Sequence, residues 1–292
     1  MTLNLNRFDR ICTLGPKGTF SYQAASSIGG DRIRKIEYAT TLFQIVNAVR
    51  NGENVLGVMP IENSASGTVA QAQDCLVESG VVIINELLLN VRYSLLSHVP
   101  LEKIEQYFCH PSAFNQNMKY IERMPKAEVV FSESNIHSGE MFLARSQEPV
   151  AAFVPYPAAY ANFRYREKIV ADDTQDYRQN ITRFVVLQKK PENYSPDFTR
   201  KKTALYASFN EDRHSLLFEL LREFHVYEIN ICRLESRPQK YKPWQYGFFI
   251  DFYNNHRVEA CLKAFRQLAI QYELLGSYDI ISSKSRNAPS LA

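Results

Sequence analysis

The chain has 292 residues, a net charge of +3, and a composition that is 45% hydrophobic and 22% charged. A chain of this length can bury a sizeable core and usually forms one large or two ordinary domains. The small charge, without any Lys/Arg run, excludes a dedicated nucleic-acid binder. No apolar run approaches the roughly 20 residues of a membrane span, so we expect no membrane partner.

Cysteine and histidine usage indicates the compartment and the kind of site. The six histidines show no metal-ligand spacing. The N-terminal residues lack the apolar core of a signal peptide, which predicts a cytoplasmic protein. The cysteines form no C-x-x-C pair and are expected to be buried free thiols in a reducing environment: Cys12, Cys75, Cys109, Cys232 and Cys261.

The first part of the chain alternates strand and helix patterns. Strands are predicted at Arg10–Leu14, Ile33–Tyr38, Val55–Ile61, Val81–Leu96 (one or two strands), Ile104–Phe108, Val129–Phe131, Val150–Val154 and Ile181–Gln188. Helices are predicted at Ser21–Ile28, Leu42–Asn51, Thr68–Ser79, Pro111–Ile121 and Ser138–Ser146. This order predicts an α/β fold with a mostly parallel sheet, in two lobes around a cleft. Ligands of such sheets bind at strand carboxyl ends, beside helix N-termini.

The pattern changes after Lys189–Lys202, a proline-containing and charged segment that is typical of a linker. Strands are then predicted at Thr203–Phe209, Ile229–Glu235, Tyr246–Tyr253 and Leu274–Ile281, helices at His214–Phe224 and Val258–Tyr272, and a loop at Ser236–Gln245. This βαββαβ order is the ferredoxin-like arrangement. The polar tail Ser282–Ala292 is expected to fray.

Three short stretches are candidates for a site. Gly15–Ser21 (GPKGTFS) lies between the first strand and the first helix. Its glycines let the backbone approach a ligand, and N–H groups at a helix start favour an anion. Pro60–Thr68 (PIENSASGT) places three polar residues directly after a buried strand, and Asn180–Phe184 (NITRF) opens the last strand of the first part. Each also fits an ordinary turn, cap or strand when taken alone.

In this order the three stretches resemble the prephenate dehydratase family, whose members carry GPxGTFS, PIENSxxG and NxTRF motifs. Downstream, Glu235–Pro238 (ESRP) and Leu275–Tyr278 (LGSY) resemble the ACT domain of the same family. The resemblance spans roughly Arg10–Ser282, which is nearly the whole chain.

The resemblance implies a fold and an activity. It implies a catalytic domain at 8–190, similar to type II periplasmic binding proteins, and an ACT regulatory domain at 201–282. The implied reaction converts prephenate, a small dianion, to phenylpyruvate with loss of CO2 and water, in L-phenylalanine biosynthesis. Aromatisation drives it, so no cofactor or metal is expected. ACT domains tend to pair side by side, which implies a homodimer or homotetramer.

The resemblance also implies catalytic residues, namely Thr182, Glu62, Asn63 and Ser64. Thr182 would be the donor nearest the leaving hydroxyl. Because a threonine hydroxyl is too weak an acid to give up its proton fully, Thr182 would stabilise the departing oxygen by hydrogen bonding. Glu62 would be the true acid if burial keeps its carboxyl protonated. A purely structural Glu62 is equally compatible with the pattern.

Substrate-binding roles are implied for Thr19, Phe20, Ser21, Gly67, His110, Arg183 and Phe184. Arg183 alternates with Thr182 along a strand and so points away from its face, where it pairs with substrate or with a local carboxylate. Phe184 returns to the face of Thr182. His110 precedes a proline at a helix start, a position that favours a cap or core histidine over a ligand.

Effector-binding roles are implied for His214, Ser215, Leu216, Glu235, Ser236, Arg237 and Pro238, with L-phenylalanine as the effector. The family often has Pro-Gly-Ala-Leu where this chain has Arg213–Leu216 (RHSL). Effector binding and a purely structural dimerisation module therefore both remain open.

The chain departs from the family pattern at three places in the predicted second lobe. Cys109–Ser112 replaces Ser-His-Pro-Gln, Ser132–Asn135 replaces a small-residue helix start, and Tyr165–Glu167 replaces Tyr-Gly-Leu. Related activities are an arogenate dehydratase, which differs only in the amine of its substrate, and a prephenate decarboxylase, which would lack the ACT domain and the threonine. A non-catalytic small-molecule sensor is the alternative from another class.

Overall fold

The computed structural model describes residues 5–30, 32–33, 35–124, 127–209, 214–239, 242 and 244–281. The strands are β1 (Arg10–Leu14), β2 (Lys35–Ala39), β3 (Val55–Asn63), β4 (Gly67–Thr68), β5 (Val81–Asn90), β6 (Tyr93–Ser97), β7 (Gln106–Cys109), β8 (Glu128–Phe131), β9 (Val150–Pro155), β10 (Ile169–Asp172), β11 (Ile181–Lys189), β12 (Lys202–Ser208), β13 (Ile231–Pro238), β14 (Tyr246–Tyr253) and β15 (Gln271–Ile281). The helices are α1 (Phe20–Gly29), α2 (Leu42–Asn51), α3 (Ala70–Asp74), α4 (Pro111–Gln116), α5 (Met118–Ile121), α6 (Asn135–Ala144), α7 (Tyr156–Ala161), α8 (Phe163–Arg166), α9 (Leu216–Val226) and α10 (Val258–Gln267), with a 3₁₀ turn at Leu101–Lys103.

The strands form two sheets. The larger has ten strands in the order β13-β14-β12-β15-β5-β11-β3-β1-β2, with β4 paired to β3; the smaller has five, in the order β10-β6-β9-β7-β8. We call β1–β5 and β11 with α1–α3 the first lobe, β6–β10 with α4–α8 the second lobe, and β12–β15 with α9 and α10 the C-terminal unit. The chain crosses between the lobes twice, from β5 to β6 and from β10 to β11. The predicted α/β fold with two lobes is confirmed.

Both sheets are mixed, so the prediction of a mostly parallel sheet is wrong. β1 is parallel to β2 and β3, and β7 is parallel to β8 and β9. β11 returns from the second lobe and runs antiparallel between β3 and β5. β6 is likewise antiparallel to β9 and β10. The βαβ pattern predicts only how strands that are neighbours in sequence pair. It gives no information about a strand such as β11, which joins the sheet after the chain has passed through the other lobe.

Helix starts in the first lobe follow the cap signals. Thr19 Oγ1 accepts a hydrogen bond from Tyr22 N at 3.3 Å, and Thr41 Oγ1 accepts one from Gln44 N at 3.2 Å. Each side chain satisfies a backbone donor that has no partner inside the helix, so α1 and α2 begin directly after these threonines. The buried face of α2 has helical spacing and consists of Leu42, Ile45, Val46 and Val49.

Three predicted helices are shorter than the sequence pattern indicated. Thr68–Ser79 contains only the five-residue α3, because Gly67 and Thr68 pair with β3 instead. Pro111–Ile121 is interrupted at Asn117, whose Nδ2 donates to Ala113 O at 2.7 Å. α10 ends before Ala269, where φ is +57°. Two short helices, α7 and α8, and strand β10 were not predicted.

Apolar side chains cover both faces of the first-lobe sheet. Phe184 and Val186 of β11 pack with α1 on one face, which we call the α1 face. Val185 and Leu187 pack on the opposite face, in a cluster that includes α2 and Phe249 of the C-terminal unit. We call this the C-terminal face. Alternate residues of β11 therefore point to two different neighbours.

The C-terminal unit has the predicted βαββαβ order. Its strands are antiparallel in the order β13-β14-β12-β15, and β15 joins the first lobe by pairing in parallel with β5. Phe224, Phe252 and Phe265 lie in its own core. Residues 190–201 form neither helix nor strand. The predicted tail Ser282–Ala292 and positions 240, 241 and 243 of the predicted loop lie outside the described residues.

No disulfide joins the five cysteines, all of which lie in the described ranges. Cys12, Cys109 and Cys261 are buried, whereas Cys75 is half-buried and Cys232 is exposed, so the expectation of burial fails at the last two. Within the described ranges, no helix is long and apolar enough to cross a membrane.

Candidate active site and effector cavity

The three sequence motifs meet on the side of the large sheet where the strands β1 and β3 end and β11 begins. β1 and β3 are parallel neighbours, so the Gly15–Ser21 loop and the end of β3 emerge at the same edge. β11 runs antiparallel to β3, which brings its first residues to that edge as well. The three segments come from distant parts of the sequence and become neighbours only through strand order.

A β-bulge decides which side chain of β3 faces Thr182. Phe184 pairs with Pro60, but Arg183 pairs with Glu62 and Thr182 with Asn63, so Ile61 has no partner on β11. Such an extra residue reverses the alternation of side chains beyond it. Asn63 therefore faces Thr182, while Glu62 lies beside Arg183.

Asn63 is the centre of a hydrogen-bonded network. Its Nδ2 donates to Thr182 Oγ1 at 2.9 Å and to Asn180 Oδ1 at 2.7 Å. Its Oδ1 accepts from the backbone N–H groups of Ala65 and Ser66 at 2.9 and 2.8 Å. The amide thus fixes the loop after β3 and the start of β11 relative to each other.

The network continues into the second lobe. Asn180 Nδ2 donates to Gln116 Oε1 at 2.6 Å, and Gln116 Nε2 donates to Ser66 Oγ at 3.2 Å. Gln116 belongs to α4, so this side chain joins the two lobes directly. Asn180 and Gln116 are both buried. Their buried polar atoms are paired, which favours one fixed arrangement of the cluster.

Thr182 is arranged as a hydrogen-bond donor. Its side chain is 8% exposed, and its oxygen accepts from Asn63. Within the part of the chain that the structure describes, its hydroxyl donates to no protein acceptor. A hydroxyl whose oxygen already accepts a hydrogen bond is a stronger donor, because linked hydrogen bonds polarise one another.

The Gly15–Ser21 loop contributes the start of α1. The Thr19 hydroxyl is used within the loop, since it donates to Pro16 O at 2.9 Å as well as capping α1. Ser21 is buried, and no hydrogen bond is formed by its hydroxyl within the described residues. A Cβ on Gly18 would lie 2.9 Å from Ile136 Cδ1 of the second lobe, so only glycine lets the loop approach that closely.

Polar residues of the second lobe surround Tyr93. Phe20 packs edge-on against the Tyr93 ring, with centroids 5.3 Å apart. Burial raises the pKa of Tyr93, and side-chain hydrogen bonds with Ser112 and Asn135 act in the opposite direction. Ser112 and Asn135 belong to two of the three segments that depart from the family pattern. The departures therefore alter the second lobe beside Tyr93 and Phe20.

His110 caps α4, the role favoured by its sequence position. Its Nδ1 accepts from the backbone N–H of Ser112 at 3.2 Å and lies 2.7 Å from Ser112 Oγ. Burial lowers its pKa. The third departing segment contains Tyr165, which is buried in the core of the second lobe.

Glu62 and Arg183 lie on the C-terminal face, away from Thr182. Arg183 Nη1 donates to Glu62 Oε2 at 2.6 Å, while Nη2 donates to Glu86 at 2.7 Å and to Asp251 at 2.8 Å. Arg183 is thus paired with local carboxylates, one of the two alternatives that its sequence position left open. Burial would lower the pKa of Arg183, but the adjacent Asp251 and Glu86 raise it overall.

Three other predicted site residues have mainly structural contacts. Phe184 is 1% exposed and belongs to the core of the α1 face. Ser64 Oγ donates to Gln179 O and accepts from Ile181 N, both at 2.9 Å. Gly67 has a φ of +79°, which favours glycine in the turn between β3 and β4.

A second concave feature lies in the C-terminal unit. It is a cavity of about 470 Å³, and Ser215, Leu216, Phe218, Ser236 and Trp244 are among its lining residues. Three of the predicted effector residues, Ser215, Leu216 and Ser236, therefore line it. The others, His214, Glu235, Arg237 and Pro238, do not.

Glu235 and Arg237 instead contact the first lobe. Thr68 Oγ1 donates to Glu235 Oε2 at 3.0 Å. Arg237 binds the Asp74 carboxylate through Nε at 3.2 Å and Nη2 at 2.8 Å. Residues alternate along β13, so Ser236 faces the cavity while its two neighbours hold the segment that follows Asn63.

Sequence reasoning missed several residues of the cluster. Gln116 and Tyr93 carry no motif, and only their contacts with the first lobe identify them. Asn135 stood in a segment that departs from the family pattern, but its place beside Tyr93 was not predicted. Asn180 stood within the third motif, and its polarity at a strand start was an available signal. In the described ranges, no group of three or more His, Cys, Asp and Glu side chains could hold a metal ion.

Comparison with known proteins gives one consistent result. Residues 11–192 match the family model described as prephenate dehydratase. The prephenate dehydratase of Methanocaldococcus jannaschii is 32% identical over 277 residues, covering 91% of this chain and 96% of that relative.

Solved structures agree over both parts of the chain. The prephenate dehydratase of Arthrobacter aurescens in complex with L-Phe has a TM-score of 0.79 and 26% identity, covering 92% of this chain and 90% of that one. The prephenate dehydratase of Staphylococcus aureus has a TM-score of 0.77 and 25% identity, covering 93% and 100%. The likeness extends through the C-terminal unit.

Proposed function

Since the chain belongs to the prephenate dehydratase family, we propose that it converts prephenate to phenylpyruvate in L-phenylalanine biosynthesis. The observation that carries the proposal is the Asn63–Thr182 hydrogen bond, which lies where the two lobes meet. It leaves a threonine hydroxyl free to donate, at the meeting point of all three family motifs. The enzyme is then a carbon–oxygen lyase.

The proposed chemistry needs hydrogen-bond donors more than a strong acid. The ring carboxylate leaves as CO2, and the electron pair of its C–C bond moves into the ring. The C–O bond to the ring hydroxyl breaks, and this group takes up one proton and leaves as water. Thr182 donates to the departing oxygen as negative charge develops there. A fixed donor of this kind is worth about 3–4 kcal/mol.

Positioning of the substrate falls to the surrounding groups. Backbone N–H groups at the start of α1, together with the Ser21 hydroxyl, suit a carboxylate of the dianion. Phe20, the first residue of α1, packs edge-on against the buried Tyr93 ring and so holds the start of this helix against the second lobe. Glu62 is not assigned as the acid, because the bulge places it with Arg183 on the far face of the sheet.

Incubating the purified chain with prephenate should produce phenylpyruvate, followed by its absorbance in alkali. Arogenate is the matched substrate, since it differs only in carrying an amine, and phenylalanine formed from it would assign the chain as an arogenate dehydratase. A protein that binds prephenate without turnover would instead be a sensor and would contradict the proposed activity.

We further assign residues 8–190 to the catalytic domain and 201–282 to an ACT domain that binds L-phenylalanine in the cavity beside Ser236. The L-Phe complex of the Arthrobacter relative supports an effector of this kind. β13 is an edge strand, and its exposed Leu234 suits pairing of two copies as a homodimer or homotetramer. Five cysteines without a disulfide among them favour the reducing cytoplasm.

Calorimetric titration with L-phenylalanine should give saturable binding, and Ser236→Trp should weaken it by about tenfold or more because the larger side chain fills the cavity. Lys263→Trp is the matched control, since Lys263 is exposed on α10 and does not line the cavity. Absence of heat with the unaltered protein would leave the C-terminal unit as a structural module without an effector.

A further inference from the structure

Six charged side chains form one cluster between the first lobe and the C-terminal unit, and all of them except Glu62, whose side chain is 32% exposed, are largely buried. Three are cations, Arg183, Lys202 and Arg233, and three are carboxylates, Glu62, Glu86 and Asp251. We call this the interface ion cluster. The three family motifs at the active site do not predict this cluster, because three of its six side chains belong to the C-terminal unit.

Arg183 is the centre of the interface ion cluster. It binds one carboxylate from β3, one from β5 and one from β14, at 2.6, 2.7 and 2.8 Å. The Arg183 side chain is only 13% exposed, and Glu86 and Asp251 are nearly inaccessible. Charges removed from water in this way are tolerated only when each has a partner.

The three positive and three negative charges of the cluster balance. They do so only when the first lobe and the C-terminal unit are packed together. Lys202 Nζ lies 3.1 Å from Glu86, and Arg233 Nη1 lies 3.4 Å from Asp251. Loss of the Asp251 charge would leave three cations facing two carboxylates. Arg183 would then be free to move toward Glu62 or Glu86 alone.

The position of the cluster relative to Thr182 gives it a catalytic consequence. Beyond the bulge at Ile61, the ladder between β3 and β11 contains only two residue pairs, Arg183 with Glu62 and Thr182 with Asn63. Hydrogen bonds of Ser64 to Gln179 and Ile181 hold this short end at its tip, and the Arg183–Glu62 ion pair holds it on the C-terminal face. On the other side of β11, the ladder to β5 fixes Thr182 but not Asn63.

We propose that Asp251 is a positioning residue for the dehydration. From the C-terminal unit it restrains Arg183, Arg183 restrains Glu62, and Glu62 holds Asn63 in hydrogen-bonding register with Thr182. The chemical step depends on that register, whereas binding of the substrate carboxylates at α1 does not. Loss of Asp251 therefore lowers kcat and leaves KM nearly unchanged.

The test compares Asp251→Asn with Asp279→Asn in the full-length chain. Both changes remove one carboxylate charge from the C-terminal unit, but Asp279 pairs with Arg200 and not with the interface ion cluster. Asp251→Asn should lower kcat by about tenfold or more, since small misplacements of catalytic groups have effects of this size. KM should change less than about threefold. Asp279→Asn should keep the kcat of the unaltered chain.

A second variant separates positioning from stability. Asp251→Asn combined with Arg233→Met restores two cations against two carboxylates, so the folded fraction should recover. Because Arg183 still lacks its Asp251 partner, kcat should stay low. Asp251→Glu retains the charge and should recover part of the lost kcat.

The proposal rests on the proposed dehydratase activity, and the two can fail separately. An unaltered chain that forms no product from either substrate contradicts the activity. An active chain in which folded Asp251→Asn keeps its kcat overturns the positioning role alone. Recovery of kcat in the charge-balanced double variant would also overturn it, since that result would reduce Asp251 to a contribution to stability.

Discussion

Replacing Thr182 with alanine is expected to lower kcat by about 10²–10³-fold, the usual cost of removing one fixed donor aimed at developing charge. The side chain lies at the end of a strand, and its oxygen accepts from Asn63 at 2.9 Å. The change removes the donor and leaves the ladders of β11 to β3 and β5 in place. Steady-state kinetics with prephenate would measure the loss.

Thr182→Ser is the matched control, because it keeps the hydroxyl and removes only a methyl group. We expect it to retain most of the activity, and we expect both variants to keep the secondary structure of the unaltered chain by circular dichroism. Turnover of Thr182→Ala near that of the unaltered chain would refute the assignment of this residue as the donor.

Replacing Arg183 with methionine is expected to lower the free energy of unfolding by about 3–5 kcal/mol, because it leaves three carboxylates facing only two cations, Lys202 and Arg233. Glu62, Glu86 and Asp251 all lie within 2.8 Å of its guanidinium. Chemical denaturation would measure the change.

Arg200→Met is the control for that prediction. Arg200 also pairs with two carboxylates, Asp197 and Asp279, but its side chain is 33% exposed. Exposed ion pairs contribute about 0–1 kcal/mol, so the loss should be small. Equal losses for the two variants would show that burial of the interface ion cluster does not set its contribution.

Steady-state kinetics of Arg183 variants would separate two possible roles of this residue, substrate binding and alignment of the active site. A residue that binds substrate should raise KM when it is removed, whereas a residue that aligns Asn63 with Thr182 should lower kcat. The three carboxylates around the guanidinium favour the second outcome. Measuring both constants on Arg183→Lys, which keeps the charge but loses the forked geometry, would distinguish them.

Local features of the chain were predictable because they depend on neighbouring residues. β1 and α2 both have the predicted bounds, Arg10–Leu14 and Leu42–Asn51. The βαββαβ order of the C-terminal unit followed from hydrophobic periodicity alone. The failures, such as the short α3 and the break at Asn117, occur where a side chain or the tight β3–β4 hairpin competes with the helix.

The candidate site was predictable as a set of motifs but not as a geometry. Sequence alone placed Thr19, Asn63 and Thr182 at strand ends, and their order supported the family. It also kept Glu62 as a possible acid, since strict alternation gives no reason to separate Glu62 from Thr182. The bulge at Ile61 reverses that alternation, and a bulge depends on how β3 and β11 pair across more than a hundred residues of chain.

The sequence by itself determined most of the elements, the motifs and the family of this protein, because each depends on residues close together along the chain. Tertiary structure decided which face of β11 carries Thr182 with Asn63 and which face contacts the C-terminal unit. It also joined Gln116 to Asn180, and Asp251 to Arg183. These contacts arise from strand order and from the need to pair buried charge, which no local pattern records.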